Sequence, residues 1–165
     1  MPDVAIDIET SAFSPDDGGE IIRLSCRMLP GPGRQGRKFD ALVKPRNGVP
    51  TAVASLTGIS SDMLQNVASF DEIAGPFLSF IGDGRLVSIG SEFERAFINH
   101  ALTKAGYQVL PDYRFHDLWD EIPLTKRGHG TSALLSHLGI EQDQLRKGAQ
   151  TELDLIEHIY WEMRS

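Results

Sequence analysis

Val4-Ala5-Ile6-Asp7-Ile8-Glu9-Thr10 is the stretch on which the reading of the whole chain turns. Its residues alternate. Val4, Ile6 and Ile8 fall on one side of an extended backbone, and Ala5, Asp7 and Glu9 on the other. Side chains at a spacing of two project next to each other, so the strand carries a pair of carboxylates on one face. Like charges this close repel, and an apolar strand withholds water from them, so a cation between them would relieve both costs. Mg²⁺ and Mn²⁺ prefer such hard oxygen donors. A solvated strand end would tolerate the same two acids without any metal, so the decision rests on what the remaining sequence brings to them.

Working outward, Ser14-Pro15-Asp16-Asp17-Gly18-Gly19 has the composition of a turn. Ile22, Leu24, Cys26 and Met28 then alternate on a second strand that stops at Pro30-Gly31-Pro32-Gly33, and residues 39–43 read as a third strand ended by Pro45. Three strands joined by turns predict an antiparallel meander. Helical signals follow: a short helix over 51–56 broken at Thr57-Gly58, and a capping box, Ser69-Phe70-Asp71-Glu72, that opens a helix toward Ile81. A buried strand over 86–89 leads into a helix over 93–105 that Gly106 stops. Another strand over 113–116, a helix over 131–138 closed by Gly139, and a last helix from about 149 to 163 complete the chain. The expected class is α/β, a mixed sheet of about five strands with the first three antiparallel, flanked by helices, in one domain over 1–165.

The bulk properties agree with a folded domain. The chain has 165 residues, 41% of them hydrophobic and 24% charged, which is enough apolar material for a core and unlike a disordered chain. The single cysteine, Cys26, allows no internal disulfide and lies in an apolar run, where a buried inert thiol is expected. No stretch is long and apolar enough for a membrane span, and the N-terminus lacks a basic segment followed by a hydrophobic one, so cytoplasmic placement is expected. A net charge of −7 argues against tight nonspecific duplex binding but not against nuclease chemistry, because metal-binding carboxylates raise the negative count.

Two further acids join Asp7 and Glu9. Glu94 precedes Phe97, Ile98, Ala101 and Leu102 by helical offsets, which places it on the apolar face, whereas Glu92 falls with Arg95 and Asn99. Glu152 stands in the same relation to Leu155, Ile156, Ile159 and Met163, while Asp154, Glu157 and His158 share the wet side. Each has a local alternative. Ser91-Glu92-Phe93-Glu94 also fits a capping box, and Thr151 can cap a helix that starts at Glu152. Taken with Asp7 and Glu9, the four acids favour a shared metal site.

This combination resembles the DEDD exonuclease superfamily, in the branch of the proofreading subunit of bacterial replicative polymerase. Val4 to Thr10 looks like its first motif, an apolar strand ending in Asp-x-Glu-Thr. Leu56-Thr57-Gly58-Ile59-Ser60, with Met63-Leu64 and Phe70 following, is similar to the segment that meets the terminal nucleotide in that family. The strand at 86–89 with Phe93-Glu94 resembles the second motif, and Lys147-Gly148-Ala149-Gln150-Thr151-Glu152 has the spacing of the third. The resemblance implies a ribonuclease H-like fold and two-metal hydrolysis of terminal phosphodiesters from a 3′ end. In that scheme Asp7, Glu9, Glu94 and Glu152 hold two Mg²⁺ or Mn²⁺ ions. A 3′ end of single-stranded DNA or RNA is the implied partner, met by Thr10, Ser11, Leu56, Thr57, Gly58 and Phe97, with Leu56 or Phe97 against a base.

The chain departs from the family pattern at telling positions. Glu94 and Glu152 replace aspartates, Gly90 replaces an asparagine, and Lys147 replaces the general-base histidine. A lysine ammonium has no lone pair to accept a proton, so Lys147 is assigned to a phosphate or to charge developing in the transition state. His129 lies in a basic loop, His100 and His137 on helices, and His116-Asp117 after a strand; none of them is required as a base. The departures favour a slow enzyme. The rival expectations are an inactive nucleic-acid-binding or accessory protein on the same fold, and a hydrolase of a small phosphorylated molecule such as a dinucleotide. A homodimer is compatible with the sequence.

Overall fold

Alternation and turn chemistry produce the antiparallel start that the sequence predicts. The computed structural model describes residues 1–123, 130–141 and 151–165. Strand β1 (Val4–Thr10) is followed by β2 (Ile21–Met28) and β3 (Lys38–Leu42), each antiparallel to its predecessor. Helices α1 (Thr51–Thr57) and α2 (Phe70–Ile81) lead to β4 (Leu86–Ser88), then α3 (Ser91–Lys104) and β5 (Phe115–Asp117). Helices α4 (Gly130–His137) and α5 (Glu152–Glu162) complete the described elements. The sheet order is β3-β2-β1-β4-β5, with β4 parallel to β1 and β5 parallel to β4. The first strand of the sequence is thus the central strand of the sheet.

Each face of β1 belongs to a different core. Val4, Ile6 and Ile8 pack with Leu24, Cys26 and Met28 against Phe77 and Ile81 of α2 and Phe97, Ile98 and Leu102 of α3. Ala5, on the opposite face, packs with Val87, Leu134 and Leu135 of α4, and Leu153, Ile156 and Ile159 of α5. Burial of each large side chain in these layers contributes about 1.5–3 kcal/mol. Cys26 is fully buried, and burial pushes its thiol above the usual range, in keeping with an inert core residue. Among the described residues, no helix is long and apolar enough to cross a membrane.

Two boundaries move. The predicted strand over 113–116 is instead β5, because Asp112–Arg114 form a 3-10 turn and pairing with β4 begins at Phe115. Helix α3 starts at Ser91, earlier than predicted. Gly90, in the left-handed region at φ 85°, turns the chain directly from β4 into the helix, a conformation that costs an L side chain about 1–2 kcal/mol. By contrast, the capping box of α2 is formed as read: Glu72 accepts from the Ser69 backbone N–H at 2.8 Å. Residues 149 and 150 of the last predicted helix lie outside the described residues.

Candidate active site

Asp7 and Glu9 stand where the sheet opens. Strand β1 pairs with β4 only through Val4 and Ala5, whereas its pairing with β2 continues through Asp7↔Ser25 and Glu9↔Arg23. A register shift between Glu9 and Thr10 interrupts the ladder before its last pair, Thr10↔Ile21. The carboxyl ends of parallel strands at such a divergence are the usual place for ligands in α/β sheets. Asp7 is pushed up to about 7, first by burial, then by the negative charges of Glu9 and Glu152, against the opposing pull of Arg23. Burial also raises Glu9, again opposed by Arg23.

Glu94 enters this region from the first turn of α3. Its residue is only 7% exposed, and burial, followed by the charges of Asp7 and Asp117, pushes it up to about 8. Ser88 Oγ, at the end of β4, donates to Glu94 Oε2 at 3.2 Å. The local alternative for Glu94 is not realised, because a different residue caps the helix. Asp117, at the end of β5, accepts from the backbone N–H groups of Gly90 at 3.1 Å, Ser91 at 2.9 Å and Trp119 at 3.0 Å. That leaves the buried Glu94 carboxylate bonded to Ser88 and within reach of the charge of Asp7. Replacing Asp117 with alanine orphans three amides, and a loss of about 1–3 kcal/mol in urea unfolding is expected, with Ser91→Ala within about 0.5 kcal/mol of the parent.

Glu152 arrives from α5. Thr151 and Asp154 form a reciprocal capping box, with Thr151 Oγ1 accepting from the Asp154 N–H at 3.3 Å and Asp154 Oδ2 accepting from the Thr151 N–H at 3.0 Å. The Glu152 side chain takes no part in it. Glu152 is exposed rather than packed inward as its periodicity suggests, since α5 begins at that residue, beyond the apolar layer. Its carboxyl is nonetheless raised, first by partial burial and then by Glu9, and its charge in turn raises Asp7. The supposedly wet side of α5 also differs. Asp154 and Glu157 both pair with the buried Arg27, at 2.6 and 2.7 Å.

The remaining predicted residues divide into surface and scaffold. Leu56 is 81% exposed on α1, and Gly58 ends that helix at φ 73°. Thr57 Oγ1 donates to Val53 O at 2.8 Å and accepts from the Ile59 N–H. Thr10 Oγ1 donates to Ala12 O at 2.7 Å, and the buried Ser11 accepts from the Glu20 N–H at 3.0 Å, so both hydroxyls hold the turn after β1. Phe97 does not serve as a stacking surface: it is 2% exposed and lies in the core, because it shares the apolar face of α3. Phe93, one turn earlier, is exposed and packs on Phe97 with ring centroids 4.9 Å apart. Phe13, just after β1, is 89% exposed. Both were missed by the sequence reading, although an aromatic side chain set in the polar turn after an Asp-x-Glu strand is a legible signal. His116 is taken up by Glu121, which also binds Arg164. Lys147 and His129 lie outside the described residues. Among the described residues, no three acidic, histidine or cysteine side chains stand close enough to form a preformed metal cage.

Comparison with known proteins places this geometry in context. The sequence model of the family described as Exonuclease, of RNase T type, matches residues 4–153. The 3′-5′ exonuclease DinG of Bacillus subtilis is 28% identical over 147 residues, covering 86% of this chain and 15% of that protein. DNA polymerase III subunit epsilon of Rickettsia typhi is 29% identical over 103 residues, 62% of this chain and 45% of the relative. The chain therefore spans less than half the length of these relatives. The nuclease domain of 3′hExo, a DEDDh family member solved with rAMP, superposes with a TM-score of 0.72 at 20% identity over 98% of this chain and 90% of that one. A product-bound exonuclease I superposes at 0.73 with 13% identity, covering 99% of this chain and 44% of that one. Likeness at those identities speaks for the fold, which is ribonuclease H-like. With the family match running over nearly the whole sequence, the chain belongs to the exonuclease family of RNase T type.

Proposed function

We propose that this chain is a metal-dependent 3′-5′ exonuclease that hydrolyses the terminal phosphodiester of a single-stranded nucleic acid. The observation that carries the reading is the placement of Asp7 and Glu9 side by side where β1 runs on past its pairing with β4, with the buried Glu94 in the first turn of α3 near enough for the charge of Asp7 to raise it. Buried carboxylates that raise one another's pKa are costly unless cations or protons neutralise them. The donor set is all oxygen, which fits Mg²⁺ or Mn²⁺, and Asp7, Glu9, Glu94 and Glu152 would hold the ions. Bound there, divalent cations would supply Lewis-acid polarisation of a phosphoryl oxygen and a lowered pKa for an attacking water. The name of one relative, the 3′-5′ exonuclease DinG, supports the direction of attack.

The chain's own residues do the rest. Phe13, Phe93 and Leu56 are exposed apolar side chains, suited to the faces of unstacked bases. Lys147, where the family carries a histidine, neutralises phosphate charge without accepting a proton, so turnover is slow, by about 10²–10⁴-fold relative to a site with a positioned base. That replacement also motivates a second reading, an inactive strand-binding protein on the same fold. A 5′-labelled single-stranded oligonucleotide with Mn²⁺ separates the two. The enzyme gives a ladder that shortens one nucleotide at a time from the 3′ end and stops at a blocked 3′ terminus. Binding without any ladder, or release of the 5′ label, contradicts the exonuclease reading.

A further inference from the structure

Arg23 is the cation that the carboxylate cluster meets across the β1–β2 ladder, directly opposite Glu9 and on the same face as Asp7. It is not free to fold onto those acids. Its Nε donates to Asp40 Oδ1 at 3.0 Å and its Nη2 to Asp40 Oδ2 at 2.8 Å, while Ser25 Oγ donates to Asp40 Oδ1 at 2.8 Å. Arg23 and then Ser25 hold the Asp40 carboxyl below the usual range, so the fork is firmly anchored on β3. Among the described residues nothing accepts from Nη1, and the side chain is 44% exposed. Neutralising Asp7 and Glu9 would be done better by a direct pair with them. A guanidinium braced on one edge, open on the other, and set beside a phosphodiester-cutting cluster has the geometry of an anion contact.

We propose that Arg23 is a phosphate clamp for the strand being cut, braced by Asp40 and Ser25 so that its Nη1 edge meets a backbone phosphate entering the Asp7–Glu9 cleft. The clamp rests on the exonuclease reading. It also has an opposite effect on the two ligands of the site, because a fixed positive charge attracts the polyanion and repels divalent cations bound by the neighbouring acids. An arginine that merely supported the sheet would show no such opposition.

Two binding measurements on the whole chain test this. In EDTA, anisotropy of a labelled single-stranded oligonucleotide across a salt series should show Arg23→Gln binding about 5-fold more weakly, with the slope of log affinity against log salt reduced by about 0.7. Arg23→Lys should keep the slope, and Asp40→Asn should keep the slope while losing affinity. Calorimetry with Mn²⁺ alone should show Arg23→Gln binding the metal about 2-fold more tightly than the parent. An unchanged salt slope in Arg23→Gln, or a weaker Mn²⁺ affinity, overturns the clamp while a cleaving parent enzyme leaves the exonuclease reading intact. A folded parent that neither binds nor cuts the strand overturns both.

Discussion

Replacing Asp7 with asparagine is expected to remove nuclease activity by about 10³-fold or more while making the metal-free protein more stable. The two effects have one cause. Asp7 is half-buried, feels the charges of Glu9 and Glu152 and is pushed up to about 7, so the folded protein holds a proton that the unfolded chain, with an ordinary aspartate, releases. A raised carboxylate pKa contributes its full stability at low pH, and that contribution is lost as pH rises from about 4 to about 7. Above that window the ionised Asp7 strains the fold. Asparagine abolishes the charge, and a gain of about 1–3 kcal/mol in EDTA at pH 8 is expected, shrinking toward zero near pH 4. Glu94, pushed up to about 8, predicts a parallel gain for Glu94→Gln. Denaturation in urea with EDTA at both pH values reads the effect directly. A loss of stability at pH 8 would mean that the carboxylate is satisfied by groups other than metal.

Removing Arg27 has the largest expected effect on folding. Its Nη1 lies 2.6 Å from Asp154 and 2.7 Å from Glu157, joining the end of β2 to the helix that carries Glu152. Arg27→Met leaves two partly buried carboxylates facing one another without a cation, and about 2–4 kcal/mol of stability should be lost; the figure is below that of a fully buried pair because both acids retain some contact with water. Asp154 keeps its capping bond to Thr151, so the damage should concentrate on Glu157. Arg27→Met combined with Glu157→Leu is therefore expected to recover about half of the loss, as apolar replacement of a buried pair commonly does. Equal stability of the single and double variants would show that the ion pair is not what docks α5.

Much of this arrangement is legible in the sequence because it rests on periodicity. Alternation alone placed Asp7 and Glu9 together on the second face of β1, and the offsets to Phe97, Ile98 and Leu102 placed Glu94 inward. That same periodicity ruled against Phe97 as a stacking residue, since a side chain three positions from an inward-facing glutamate is itself inward; Phe93 was the better choice. What periodicity cannot show is a partner distant in sequence. Asp154 and Glu157 look solvated until Arg27 of β2 is set against them, and Ser91 looks like a cap until Asp117 of β5 takes that role. Glu152 was misread: its offsets set it with Ile156 and Ile159, but a residue at the first position of a helix can lie past the end of the packed layer, and this one is exposed.

Calorimetric titration of Mn²⁺ into the parent protein, beside Asp7→Asn, Glu94→Gln and Glu152→Gln, tests most directly whether acids from β1, α3 and α5 act as one cation site. Saturable binding in the parent, lost in Asp7→Asn and weakened about 10-fold or more in each glutamine variant, is the predicted result. Binding that survives unchanged in Asp7→Asn, or a parent that takes up no Mn²⁺ while remaining folded, would contradict it.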